Sequence, residues 1–426
     1  EPLVFRDDET VARLSPLADL FLTHDREIAA PCDDSVARVI AGSPTLLRRG
    51  RGFVPKAVRV ARPFARPVLA CGGDLKSAVC IGVGDRAWLG PHIGDLGTLA
   101  SLEALEDCVE HLCELLRVRP ELVAHDLHPE FLSTRFALSW PASDRMGVQH
   151  HHAHVASALG EHGLEGPVLA LAWDGTGHGG DGTSWGGELL LADALACTRI
   201  ATFRPLRLAG GDAAIRQVWR AALVLLDDAF DGEAPLGALG LFRRVSEREI
   251  AVVRQLVAGR THAPPAHGVG RLFDAVGAIL LARPEARFEG QVALLCGELA
   301  TAEAAAPWPF GIDRSEEPWT VDLRPALRAL VADHLAGRPA NLLAARFHET
   351  LVAAGAELVE AASARYGDLP VALTGGCFQN PRLAGGLQRA LSDGRNVYLH
   401  REVPPGDGGL ALGQALVADA RIRACA

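Results

Sequence analysis

At 426 residues the chain is long enough for two or three domains with a sizeable buried core. Its net charge of −10 argues against a nucleic-acid surface as the main business, and its longest apolar runs, such as FDAVGAILLA (273–282), fall short of the roughly 18–20 residues of a membrane span. Nine cysteines, odd in number and never spaced CxxC, speak against a disulfide framework or a thiolate zinc finger and fit a reducing, cytoplasmic setting.

No secretory apolar region opens the chain, which begins on Glu1 rather than Met, as a piece of a longer protein would. Residues 1–60 mix a helical pattern (7–22) with expected strands at 21–31 and 35–42, then end in the basic run LLRRGRGFVPKAVRV (46–60). RPFARP (62–67) punctuates like a linker. Two apolar runs within 67–91 predict a hairpin, followed by a helix over 98–118 and a strand at 121–126. A histidine-rich helix capped by Gly163 comes next, and 166–193 reads as strand, turn and strand. Helical patterns, including 212–226 and 270–282, dominate from 205 to 340. The last hundred residues alternate: helix 341–365, strand 370–375, helix 381–391, strand 396–400, helix 409–420. This alternation predicts an α/β protein with mixed sheets and helices on their faces.

The chemistry gathers in the turns. VQHHHAHVASALGEHG (148–163) puts His150 and His154 four residues apart, on one helix side, which suits two ligands of a borderline metal or simply a polar helix start. His151 and His152 face elsewhere and are expected in solvent or in packing. Asp407 in VPPGDGG (403–409), just before the last helix, offers a third, oxygen ligand. WDGTGHGGDGTSWGG (173–187) ends a buried strand on an Asp followed by glycines, a pattern shared by phosphate loops and ordinary hairpin turns. LTGGCFQN (373–380) is a second strand–glycine–helix passage, where free N–H groups meet an anion or the glycines are merely steric.

Taken in order, VQHHHAHVAS, DGTGHGGDGTSWGGE, GRLFDAVGAIL, FEGQVAL, LTGGCFQN and VPPGDGGLALGQA resemble the HypF family of NiFe-hydrogenase maturation carbamoyltransferases. LKSAVCIG, HIGDL and VAHDLHPEFLSTRFA fit the same family, while FLTHDREIAAPCDDSVARV and RRGRGFVP look like the end of its YrdC-like domain. The resemblance implies an actin-like (ASKHA, duplicated ribonuclease H-like) domain of two subdomains, preceded by a fragment of a YrdC-like α/β domain. Its divisions would be 1–62 for the fragment, 67–205 completed by 402–426 for the first Kae-like subdomain, and 206–401 for the second. Leu20, Phe21, Val36 and Val39 are expected to pack the fragment onto the actin-like part.

In that family the YrdC-like domain makes carbamoyl adenylate from carbamoyl phosphate and ATP. The Kae/TsaD-type domain then moves the carbamoyl group to the C-terminal cysteine of HypE, whose thiocarbamate becomes a cyanide ligand of the hydrogenase iron. About 60 residues of a YrdC-like domain are too few to enclose its cavity, so the transfer step is the half expected here. Mapped by motif, His150, His154 and Asp407 would hold a divalent metal, iron or zinc. Asp174 would lie beside the carbamoyl group and Lys76 beside the phosphate, these two being the catalytic candidates. Asp274 and Glu289 would accept from ribose hydroxyls, Gly375, Gly376 and Asn380 would line the nucleotide, and Gly210 and Gly211 would close on it. Asp74 stands where the family pattern has Glu. Two other readings are an O-carbamoyltransferase of small molecules, in which the YrdC-like part follows rather than precedes, and an actin-like nucleotide-gated binding protein without transfer chemistry.

Overall fold

The computed structural model describes residues 3–303 and 305–425. A first sheet orders its strands Val58–Arg59, Arg86–Leu89, Cys80–Val83, Val68–Ala70, Leu122–Asp126 and Asp144–Val148. The second, larger sheet has the core order Cys197–Phe203, Ser184–Ala192, Val168–His178, Val371–Thr374 and Val397–Leu399. Each holds the same five-strand unit. Three consecutive strands pair antiparallel, and a fourth and fifth add in parallel on the far side of the first. Parallel neighbours require crossovers, and helices supply them: Leu99–Leu116 and Leu132–Ser139 in the first unit, and the whole helical region before Val371 in the second. The α/β class and the duplication are therefore as expected.

After its fifth strand each unit ends in a helix, His150–His162 in the first and Leu410–Cys425 in the second. These two helices cross between the sheets. Ala153 and Ala156 join the core made by Val68, Ala70, Ala124 and the last helix, whereas Val155, Ala158 and Leu159 pack on Val168, Ala170 and Ala172 of the second sheet. Apolar burial on both faces explains why the histidine helix lacks an amphipathic stripe. A Cβ on Gly413 would sit 1.7 Å from the Ala153 carbonyl oxygen, so only glycine allows this approach.

Several expectations need correction. Helix Asp7–Leu14 stops before Pro16, which cannot continue it, and 21–31 forms no strand. Leu20, Val36 and Val39 are 87%, 44% and 65% exposed and do not attach the N-terminal segment. The hairpin Val36–Ile40/Ser43–Arg48 attaches it instead, through buried Ile40 and Leu46 and through polar contacts. Leu46 N–H donates to the Arg401 carbonyl (2.8 Å), and buried Arg49 donates to the Glu402, Phe53 and Lys56 carbonyls. The three strands between 168 and 203, assigned to the first subdomain, pair within the second sheet, so the sheets divide between Val148 and Val168. The 212–226 helix breaks into Asp212–Arg216 and Trp219–Ala229. Asp74 caps helix Leu132–Ser139 by accepting from the Leu132 and Ser133 N–H groups (2.8 and 2.9 Å), a contact that a longer Glu would have to make from farther back. Among the described residues no helix is long and apolar enough to cross a membrane.

Candidate metal and nucleotide site

The histidine helix begins where the Gln149 side chain accepts from the His152 N–H (2.8 Å). One turn separates His150 from His154, and both are buried. Asp407 reaches them from the turn before the last helix, and Asp174 from strand Val168–His178. Ligand atoms of these four residues all lie within 4.8 Å of one another. Asp407 Oδ1 is 3.8 Å from His150 Nε2 and 3.7 Å from His154 Nε2, and Asp174 Oδ2 is 3.0 Å from His154 Nε2. His150 Nε2, His154 Nε2 and Asp174 Oδ2 are buried without a hydrogen bond. Orphaned polar atoms that converge on one point fit a cation, and two imidazoles with two carboxylates suit a borderline divalent ion. Asp174 thus stands in the cluster with the three residues expected from the sequence as ligands.

The electrostatics agree. Burial alone would lower His150, yet Asp126, Asp407 and Asp174 outweigh it and push the ring up to about 9. Burial would raise Asp174, but His154 and His150 hold it well below the usual carboxylate range. His151 and His152 are not in solvent, since both are fully buried. His152 Nε2 donates to the Asp193 carbonyl (2.7 Å), and His151 packs beside His150 and Trp185.

Glu161, near the end of the same helix, holds the loop that carries Asp407. Its Oε1 accepts from the Arg401, Glu402 and Val403 N–H groups, and its Oε2 from His400 Nδ1 (2.8 Å). Burial raises its pKa, but His400 and these N–H groups bring it below the ordinary value. Glu161→Ala is expected to cost about 3 kcal/mol in urea unfolding, because buried donors are left unpaired. A depressed folded pKa makes this contribution full above the unfolded value near pH ~4.3 and lost as pH falls through the folded one. The parent and the variant should therefore converge in acid, and an equal gap at every pH would contradict the assignment.

A cleft of about 160 Å³ opens beside the cluster, lined by Lys76, Asp174, Arg271, Glu289, Gly376 and Asn380 among others. Gly375 has φ +99°, and a Cβ there would meet the Trp173 carbonyl oxygen at 2.3 Å, so the turn under Asp174 requires glycine. A Cβ on Gly376 would come 2.9 Å from Asp174 Oδ1. Asn380 caps helix Pro381–Leu391 by accepting from the Arg382 and Leu383 N–H groups, while its amide contacts His348 Nε2 (2.8 Å). The Lys76 ammonium has a raised pKa: desolvation lowers it, but Asp407, Glu289 and Asp174 more than compensate.

Two groups expected at the nucleotide lie apart from this cleft. Asp274 is 2% exposed and is not among the residues lining the cleft; its Oδ2 lies 2.9 Å from Arg271 Nη1 and its Oδ1 accepts from the Ala293 N–H (3.1 Å), so both oxygens already have partners inside the protein. Gly210 and Gly211 lie outside the cleft, in a turn where the Gly210 N–H donates to the His262 carbonyl (2.7 Å). Glu289 does face the cleft and pairs with Arg271 Nη2 at 3.2 Å. Arg271, which lines the cleft, and Asp126, which contacts His150, do not stand out in the sequence, although GRLFDAV and VAHDLHPE contain them.

A family model described as "HypF Kae1-like domain" matches residues 64–161, and "Carbamoyltransferase, Kae1-like Domain, second subdomain" matches 170–414. The chain is 42% identical to "Carbamoyltransferase HypF2" of Cupriavidus necator, over 98% of this chain and 55% of that protein. It is 38% identical to the "Carbamoyltransferase HypF homolog" of the same organism, over 83% of this chain and 91% of that one. A crystal structure of full-length HypF in the phosphate- and nucleotide-bound form superposes with a TM-score of 0.93 at 34% identity, covering 98% of this chain and 65% of that one. The T. kodakarensis HypF structure gives 0.90 at 27% identity, covering 99% and 56%. The chain thus spans about half the length of most of the curated relatives it matches.

Proposed function

Because this chain belongs to the HypF carbamoyltransferase family, we propose that it performs the carbamoyl transfer of hydrogenase maturation. The donor is carbamoyl adenylate, the product of carbamoyl phosphate and ATP, and the acceptor is the C-terminal cysteine thiol of a HypE-type partner. A C–S bond forms at the carbamoyl carbon, the C–O bond to the phosphoryl group breaks, AMP leaves, and the thiol gives up its proton. The observation that carries this reading is that Asp174 belongs at once to the four-residue cluster and to the wall of the cleft. A donor lying in the cleft would present its reacting end to the cluster.

Lys76 is in position to pair with the phosphoryl oxygens, and the Gly375–Gly376 turn lets a ligand approach the backbone beside Asp174. Glu289 is the acceptor available for ribose, held by Arg271. His150, His154, Asp174 and Asp407 would hold a divalent ion, iron or zinc, whose charge would polarise an oxygen of the donor when bound. All nine cysteines are free and burial raises most of their thiol pKa values, so the nucleophile is better supplied by the partner, in a reducing cytoplasm. To test this, the chain is incubated with carbamoyl adenylate and a HypE-like peptide ending in cysteine. The peptide is expected to gain one carbamoyl group on its thiol; an unmodified peptide beside consumed adenylate would contradict the reading.

A further inference from the structure

We propose that Asp126 is a positioning residue that fixes the His150 ring, so that its Nε2 faces His154, Asp174 and Asp407. Asp126 is the last residue of strand Leu122–Asp126, and its side chain is wholly buried. One carboxylate oxygen, Oδ2, lies 2.8 Å from His150 Nδ1, and the other accepts from the His128 N–H at 2.9 Å. An ionised carboxylate can only accept, so Nδ1 must carry the hydrogen of this bond. That choice leaves Nε2 as the nitrogen directed at the cluster. The His128 N–H holds the carboxylate from behind, which prevents it from turning with the ring.

A buried carboxylate at a strand end needs a compensating partner, and here that partner is an imidazole rather than an Arg or Lys. The arrangement is a carboxylate behind a histidine behind a cation, in which the outer group sets the tautomer, the orientation and the basicity of the ligand. Asp126 itself is not one of the four residues whose ligand atoms cluster. This inference rests on the cation-site reading of those four residues.

The test uses the full chain, stripped by chelation and titrated with Zn²⁺ and, for its absorption spectrum, with Co²⁺. Asp126→Leu removes the acceptor at similar volume, and Asp126→Asn keeps a neutral one. The Leu variant is expected to lose about 10–100-fold in Zn²⁺ affinity and to shift the Co²⁺ bands, and the Asn variant about tenfold. A merely structural role would lower the unfolding temperature of the cation-free chain while leaving affinity and spectrum alone. Affinities within about twofold of the parent would overturn the proposal, and if the Leu variant does not fold, the Asn variant decides by the same limit. A parent chain that binds neither ion overturns the cation-site reading as well, which separates the two failures.

Discussion

Replacing His150 and His154 together by Ala is expected to abolish divalent-ion binding by the chain. The pair supplies two of the four clustered ligands, and both imidazoles are buried where water cannot readily substitute for them. Protein sites with four good ligands bind zinc with about 10–16 kcal/mol, so losing half the ligands should lower affinity by at least ~1,000-fold. Elemental analysis after dialysis measures this directly; an unchanged metal content would remove the histidines from the site. Single changes at His151 or His152 are expected to leave the ion in place, since neither belongs to the cluster. The proton on His150 competes with the ion, and its pKa in the cation-free chain is about 9. Apparent affinity should therefore rise with pH up to that value, by about tenfold per unit for one displaced proton.

Arg271→Met is expected to destabilise the cation-free chain by about 3–5 kcal/mol, the usual cost of removing one partner from a buried ion pair. Arg271 is almost wholly buried, pairs with Asp274 at 2.9 Å and with Glu289 at 3.2 Å, and covers Gly175, where a Cβ would meet its Nη2 at 2.6 Å. Burial already raises the Asp274 pKa, with Arg271 and the Ala293 N–H opposing that rise. Without the guanidinium the folded pKa climbs further, so the folded state binds more protons than the unfolded one and the variant gains stability relative to the parent as pH falls. The double variant Arg271→Met with Asp274→Asn should recover most of the loss, because the one carboxylate then left without the guanidinium, Glu289, is open to the cleft. Urea unfolding of the four proteins measures the coupling, and simple additivity would exclude a clamp between the two residues.

What could be read in the sequence was local. The α/β alternation and helix 381–391 follow from periodicity and capping within a few residues, and the end of helix 150–162 from the αL cap at Gly163. The i, i+4 spacing of His150 and His154 is set by the helix itself. The strand–glycine–helix passage at Gly375 and Asn380 is likewise a matter of adjacent residues. Asp407 can be read in sequence only as an oxygen ligand on offer in a turn before a helix; its pairing with histidines some 250 residues earlier comes from the family resemblance.

Only the tertiary structure decided what the long-range partners do. Asp274 and Glu289 look alike in sequence as acidic residues after apolar or aromatic ones, yet one is sealed behind Arg271 and the other faces the cleft. The exposed Leu20 and Val39 show the same limit, because apolar character does not say which surface arrives to cover it. Asp174 comes to the cluster because the second sheet packs its first strand against the histidine helix, and Asp126 reaches His150 because the fourth strand of the first five-strand unit ends beside that helix. Local sequence sets dihedral angles and periodicity, whereas the environment of a charge depends on which segments, distant in the chain, fold in around it and exclude water.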